Sequence, residues 1–524
     1  MTATAERRAP VAKSLALASV CLVLFLTFLD NTIVSVALAD MQTSLKAGVS
    51  SLQWIVDGYM LAFAALMLTG GTLGDILGRK KLLLGGVALF CCGGLVSALA
   101  STTTILIVGR VIMGVGAAAS EPGTLSIIRH LYPDGRQRAR ALGIWTAVSG
   151  ISLAVGPVLG GVLVGFAGWR GIFWFNVGLG LIALAASAWT LEESADPEGR
   201  SIDIPGLVAG AVAVLALTFA VIEGESAGFT AWWILLLFGV AAASLVAFVV
   251  VELRSPDPVL RLDYFRIPTF SAANLVAFAT SFGLFAVFFF TALYLQIVSK
   301  FSGWKIALQF SAMAVAVIVA GLIAGRWTAS RGPRMPMIAG CLASGGGILI
   351  VDGLLKPSVS VGALAAALAL VGFGLGLALV AVTSAVLSIV PARRSGMGAS
   401  TLNTSRQLGG VLAVAILGAV VNARLVNELG AKLTAIGVPG FFQGVIIHAV
   451  TGGGLPANAS QAAASSPVAA AAAASNPGLL DKVLAAATTA FGDGLHRALL
   501  IAAVILLVGA AVSLVAGRAD QAPA

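Results

Sequence analysis

The chain has 524 residues, 59% of them hydrophobic and only 10% charged, whereas a soluble domain carries about 25% charged residues. Apolar runs of about 20 residues recur along it, which makes it a polytopic membrane protein and excludes a soluble one. The net charge of +9 does not signal a nucleic-acid partner, because the bases sit in short loops between the runs, where membrane orientation puts them.

A basic stretch at 1–13 precedes the first run and carries no small-residue cleavage site. A retained helix is therefore expected at 14–38, not a signal peptide. Spans follow at 50–73, 82–101, 104–127, 141–165, 172–191, 204–223, 231–252, 270–295, 305–327, 335–355, 359–390, 398–421 and 498–517, fourteen in all. Twenty bases fall on one side of this scheme, including Arg79, Lys80 and Lys81. Nine fall on the other side, and Arg110 and Arg406 lie inside spans, completing the 31. Short basic loops mark the cytoplasmic side, so both termini are expected in the cytoplasm of a bacterial-type inner (plasma) membrane. The cysteines (Cys21, Cys91, Cys92, Cys341) all lie in apolar runs and read as packing residues. The histidines (His130, His448, His496) form no cluster, and no metal site is expected.

The connection at 422–497 is long, external and rich in Ala, Gly and Ser around 452–478. Such a loop is functional or disordered. Its amphipathic ends at 441–450 and 479–491 predict short helices over the outer mouth.

The loop at 71–81 reads GTLGDILGRKK, and GRWTASRGPR at 325–334 echoes it. Each begins with glycine (Gly71, Gly325), carries a second glycine seven residues on (Gly78, Gly332) and ends in bases. Ala329 stands where Asp75 stands. The echo predicts a transporter built from two parallel repeats. The expected organisation is an all-α protein with a cytoplasmic N-terminus at 1–13 and a six-helix half at 14–191. Two additional helices with their linkers follow at 192–269, then a second six-helix half at 270–517 and a tail at 518–524.

Ionisable residues inside a membrane are costly and mark function. Asp30, Asp57, Arg110 and Glu121 lie in the first half, and Arg406 lies well inside a span of the second. An acid in apolar surroundings resists ionisation, so Asp30 can gain and lose a proton near neutrality. Arg110 favours its charged form and releases it when helices rearrange. Glu121 is a candidate second proton site or substrate contact. Asp57, with Tyr59 and Trp54 near it, suits an organic cation through charge and cation–π attraction. Phe285, Phe289 and Gln296 belong to an aromatic face that can line an apolar drug cavity. In the fifth span Gly143, Ser152, Gly156 and Gly160 share a face that permits close helix contact. Pro157 kinks it, and Gly161 follows; a seal between the halves is expected there. Asp75 suits a helix N-terminus in the other half, where the dipole favours an anion. That contact is expected to lock one conformation, with Arg79 reaching an acid such as Asp134.

These motifs resemble the major facilitator superfamily, and more narrowly its fourteen-helix drug:proton antiporters. The resemblance rests on Gly71, Asp75, Gly78, Arg79 and Lys80, with Ile76 at a usual base. Further support comes from Leu29 to Leu38, from Arg110 to Ala118 with Met113 at a usual glutamine, and from Gly143 with Gly156-Pro157-Val158-Leu159-Gly160-Gly161. Ser152 replaces one glycine of the last motif. Trp169 to Phe173, Asn176, and Asn403, Arg406 and Gln407 complete it. The resemblance implies fourteen helices as two six-helix halves plus two central ones, and proton coupling through Asp30 and Arg110. It also implies export, because the family associates the fifth-span motif with export and not import.

The expected activity is proton-coupled efflux of cationic or amphiphilic drugs by alternating access. A proton gradient supplies the energy, and no cofactor is needed. The expected partners are a small-molecule substrate, protons and the bilayer, and the protein is expected to be a monomer. The alternatives are a same-fold exporter of a lipid, siderophore or endogenous metabolite, and a nutrient importer. No nucleophile–base set, metal spacing, nucleotide loop or ring of charge points to an enzyme or a channel.

Overall fold

The computed structural model describes residues 2–47, 49–194, 203–299, 301, 303–356, 359–436, 443 and 479–516. A chain in hydrocarbon must close its backbone hydrogen bonds within itself, and the described residues form long helices without a strand. In chain order they are α1 (Thr2–Leu45), α2 (Val49–Leu77), α3 (Arg79–Ala98), α4 (Thr103–Leu131), α5 (Gly135–Ala167), α6 (Arg170–Thr190), α7 (Ile204–Ala227) and α8 (Trp232–Arg254). Then comes α9 (Pro268–Ala286), which continues through a π-helical turn at Val287–Thr291 into Ala292–Ile297. The remainder are α10 (Gly303–Arg331), α11 (Arg334–Leu354), α12 (Val361–Ile389), α13 (Ser395–Ala435) and α14 (Leu479–Ser513). Thirteen of these helices carry a stretch long and apolar enough to cross a membrane. The other, α5, has 33 residues and is about 50 Å long.

The ends differ from expectation in three places. The first helix begins at Thr2, so most of the expected cytoplasmic N-terminus is helical. The helix α13 continues to Ala435, well past the expected span edge. The segment at 479–491 is the first part of α14, not a separate short helix. Two stretches of the expected external loop are thus extensions of the flanking helices. The amphipathic segment at 441–450 lies outside the described residues, apart from Gln443.

The helices pack as two similar sets. In the first set α4 lies against α2 and α3, α6 against α3 and α1, and α5 against α1. In the second set α12 lies against α10 and α11, α14 against α11 and α9, and α13 against α9. Adding eight to each helix number of the first set gives the second. The sets meet through α2 with α13 and α5 with α10, which are equivalent crossings under the same rule. Paired with α8, α7 lies against both α2 and α13.

The echoing loops have one physical job in both sets. Gly78 and Gly332 take φ of 111° and 81°, a region that a side chain disfavours, and they turn the chain into α3 and α11. Gly71 and Gly325 mark the crossings between the sets. A Cβ on Gly71 would overlap the Gly396 carbonyl and the Ser400 side chain of α13. A Cβ on Gly325 would lie 2.6 Å from the Ala139 carbonyl of α5, and one on Gly143 would lie 2.7 Å from the Gly321 carbonyl of α10. Small residues let these backbones touch.

The crossings lie at the end of the molecule that carries the basic loops, termed here the basic end. There one apolar core is continuous across both sets, from Leu83, Leu125 and Trp145 to Ala324, Leu387 and Ala399. At the opposite end the cores are separate. One, around Ile33, Phe63 and Phe173, belongs to the first set. The other, around Phe290, Leu368 and Leu499, belongs to the second. The structure is closed at the basic end and divided at the other.

Gly143→Val should force α5 and α10 apart at the basic end. Spin labels at Arg136→Cys and Arg331→Cys, measured by double electron–electron resonance, should move apart; an unchanged distance distribution would show that this crossing does not hold the sets together.

Candidate functional site

Three clusters of polar side chains interrupt the apolar interior. The deepest centres on Asp30 of α1, which is 0% exposed. Arg110 of α4 donates from Nη1 to Asp30 Oδ2 at 2.5 Å, and Asn176 of α6 donates from Nδ2 to Oδ1 at 2.7 Å. Arg110 Nε donates to the Ile55 carbonyl of α2 at 2.8 Å. Its guanidinium lies 4.5 Å from the centre of the Tyr59 ring, a cation–π contact. Charges stripped of water survive only when fixed partners meet them. Here both carboxylate oxygens, and an edge and one face of the cation, are met by four helices of one set.

The second cluster is less complete. Glu121 of α4 is 3% exposed, and its Oε2 has no hydrogen-bond partner. Arg406 of α13 attracts it from the other set, but the two make no ion pair among the described residues. Arg406 donates instead to Asn403 Oδ1 at 3.0 Å and to Thr383 Oγ1 at 2.7 Å, and its Nε is buried without a partner. Trp145 of α5 faces it, with the guanidinium 5.8 Å from the ring centre. Trp145 Nε1 is held by Thr124 Oγ1 at 3.2 Å, one turn after Glu121. This cluster bridges the two sets in the middle of the molecule.

The third cluster is a lock at the basic end. Asp75 meets the first turn of α13: Gly396 N donates to Oδ1 at 2.9 Å and Met397 N to Oδ2 at 3.0 Å. A helix N-terminus holds unpaired N–H groups and a partial positive charge, so the carboxylate is satisfied there. Arg79, one turn on, donates to Asp75 Oδ1 from Nε at 3.0 Å and Nη2 at 2.8 Å. It also donates to the Ala392 carbonyl at 2.7 Å. Ser126 of α4 and Ser395 share a hydrogen bond of 2.6 Å. The anticipated Arg79–Asp134 pair is not formed. Asp134 caps α5 by accepting from Gln137 N at 2.9 Å, and that local bond keeps it at the helix start.

Residues 20–414 match the family model described as Major Facilitator Superfamily. The chain belongs to the major facilitator superfamily. Members are transporters, and the protein is a multi-pass membrane transporter, not an enzyme. It is 34% identical over 403 residues to "Multidrug resistance protein Stp" of Mycobacterium tuberculosis (strain ATCC 25618 / H37Rv), covering 77% of this chain and 74% of that one. It is 33% identical over 412 residues to "Methylenomycin A resistance protein" of Bacillus subtilis (strain 168), covering 77% and 87%. The fold is similar to that of the human organic anion transporter MFSD10 (TETRAN), with a TM-score of 0.59 at 15% identity, covering 79% of this chain and 93% of that one.

Within this superfamily member the expected site residues separate. Asp30 and Arg110 come together as anticipated, but Glu121 stands in the second cluster. Tyr59 is fully buried, with its ring under the Arg110 guanidinium. Trp54 meets Phe219 of α7 with ring centres 5.4 Å apart and planes tilted by 42°, and Asp57 is only half-buried. Phe285 packs on α13 beside Gly410. Phe289 is 45% exposed and meets Phe290 edge-on. The side chains of Gln296 and Pro157 lie outside the described ones. The expected seal at Gly156 and Gly160 is not between the halves: Gly156 faces Thr32 and Ile33 of α1, Gly160 faces Ile33 and Val36 of the same helix, and Gly161 has open space before it. The contact between sets is made lower on α5, at Gly143. Two contributors were missed: Asn176 as a partner of Asp30, and Glu193. An amide inside an apolar run was the available signal for Asn176. Glu193 carried none; its carboxylate accepts Lys80 N and Lys81 N at 3.1 and 3.2 Å and caps α3.

Asp75→Ala removes three charge-assisted partners, each worth about 1.5–3 kcal/mol. A cysteine at Ser126→Cys should then react about tenfold faster with a water-soluble maleimide; an unchanged rate would show that Asp75 does not hold the basic end closed.

Proposed function

We propose that this transporter exports cationic or amphiphilic drug-like molecules in exchange for protons, by alternating access. The observation that carries the reading is the Asp30–Arg110 pair, enclosed by fixed partners inside one six-helix set. The antibiotic- and drug-resistance names of its relatives support the cargo. The excess of bases at one end supports a cytoplasmic basic end in a plasma membrane, so the structure opens outward. The proton gradient is the energy source, no cofactor is required, and a monomer suffices.

With Asp30 ionised, Arg110 is neutralised and α1, α4 and α6 are tied together. A proton on Asp30 cancels the ion pair and leaves Arg110 with the Ile55 carbonyl and the Tyr59 ring. That residue set is less favourable for a buried cation, so protonation biases the packing of these helices. Such a bias drives transport only if the two conformations differ in proton affinity. Glu121 is a second proton site, beside the interface between the sets. Closure at Asp75 and Gly143 holds the outward-open state, and release of that lock opens the cytoplasmic side.

Inverted membrane vesicles with an imposed proton gradient test the reading, with ethidium as the probe. The protein should accumulate ethidium, and Asp30→Asn should reduce this to the background of vesicles without the protein while Asp30→Glu keeps part of it. Full activity in Asp30→Asn would remove Asp30 from the coupling, and flux in the opposite direction would indicate an importer.

A further inference from the structure

The three clusters differ in how completely their groups are paired. Asp30 and Arg110 pair directly, as do Asp75 and Arg79, and among the groups named in those two clusters Asn176 Oδ1 is buried without a partner. Glu121 and Arg406 do not pair. Glu121 Oε2, Arg406 Nε and Asn403 Nδ2 are all buried without partners, and Glu121 and Asn403 are 3% and 2% exposed. Leaving such groups unmet costs a folded protein free energy. The unmet groups are complementary in kind: Glu121 offers an acceptor, and Arg406 and Asn403 offer donors, one of them on a guanidinium. Arg406 is also held open. Its Nη1 and Nη2 are tethered to Asn403 and Thr383, so the guanidinium cannot swing to Glu121 without breaking both. Trp145, fixed by Thr124, supplies an apolar wall beside the guanidinium.

We infer that Glu121 and Arg406 are the two poles of a substrate subsite that selects zwitterionic or strongly dipolar amphiphiles over simple lipophilic cations. The substrate's anionic group, such as a carboxylate, bonds to Arg406 Nε and Asn403 Nδ2. Its ammonium or other donor bonds to Glu121 Oε2, and its ring system lies on Trp145. The two poles come from different six-helix sets, so a bound substrate bridges the sets at the level about which they rock. This inference rests on the reading of the protein as an exporter of drug-like molecules. It stands apart from the subsite expected around Asp57, Tyr59 and Trp54, of which Tyr59 is buried under Arg110.

Three xanthene dyes of one scaffold provide the test: a rhodamine free acid, which is a zwitterion; its methyl ester, a cation; and fluorescein, an anion. Binding to the full-length protein in lipid nanodiscs is read by fluorescence anisotropy, and transport by uptake into inverted vesicles. The free acid should bind about tenfold more tightly than its ester, as expected for a charge-assisted contact to a buried guanidinium. Arg406→Gln should erase that difference while leaving the ester's affinity unchanged. Glu121→Gln should weaken the free acid and the ester, but not fluorescein. Retained monodispersity and melting temperature identify variants that fold. The subsite is overturned if the ester binds as well as the acid, or if Arg406→Gln weakens both equally in a folded protein; transport of the dyes would then leave the exporter reading standing. Binding and transport of none of the three would overturn the subsite and the exporter reading together.

Discussion

An ionised carboxylate without access to water must be neutralised where it lies, and the arrangement of the first six-helix set follows from that constraint at Asp30. Four helices contribute to it: α1 carries the acid, α4 the guanidinium, α6 the amide, and α2 both a carbonyl and a ring. None of these contacts is local in sequence; Asn176 and Asp30 are 146 residues apart. Each makes the position of one helix depend on the charge state of another. A proton is therefore able to act on packing, which apolar contacts alone do not permit.

The same constraint works in reverse at the basic end. There the problem is a helix N-terminus with unpaired N–H groups, and Asp75 supplies the missing acceptor from the other set. Around that bond the backbones of α2 and α13 touch at Gly71 and Gly396. The continuous apolar core covers the junction. At the opposite end, among the described residues, nothing comparable joins the two separate cores. Closure is thus built from one ionic anchor, two small-residue crossings and the apolar core shared by the sets, which must part when the basic end opens.

Much of this was legible in the sequence. Fourteen apolar runs, a basic side and the echo of Gly71 and Gly78 in Gly325 and Gly332 specified the helices and the two related halves. The echo was readable because both loops need the same backbone: a small residue at a crossing and a left-handed turn seven residues later. Asp30, Arg110 and the anchoring of Asp75 on a helix N-terminus were also readable, since membrane burial makes every charge conspicuous. What was not legible is which charges meet. Arg79 is satisfied by Asp75 one turn away, so it has no need of Asp134. Tyr59 and Trp54, five residues apart, point to different neighbours. Gly156 and Gly160 announce a close contact but not with which helix, and the partner proves to be α1. The incomplete pairing of Glu121 and Arg406 depends on side chains from α4, α12 and α13, and sequence spacing carries no trace of it.

Exchange of substrate for protons requires that substrate binding and protonation of Asp30 oppose one another. Addition of the rhodamine free acid to purified protein in a weakly buffered solution near neutral pH tests it most directly, with a pH-sensitive dye as the reporter. Proton exchange requires release of protons on substrate addition in the native protein and a smaller release in Asp30→Asn. Saturating binding with no change in proton occupancy would contradict it.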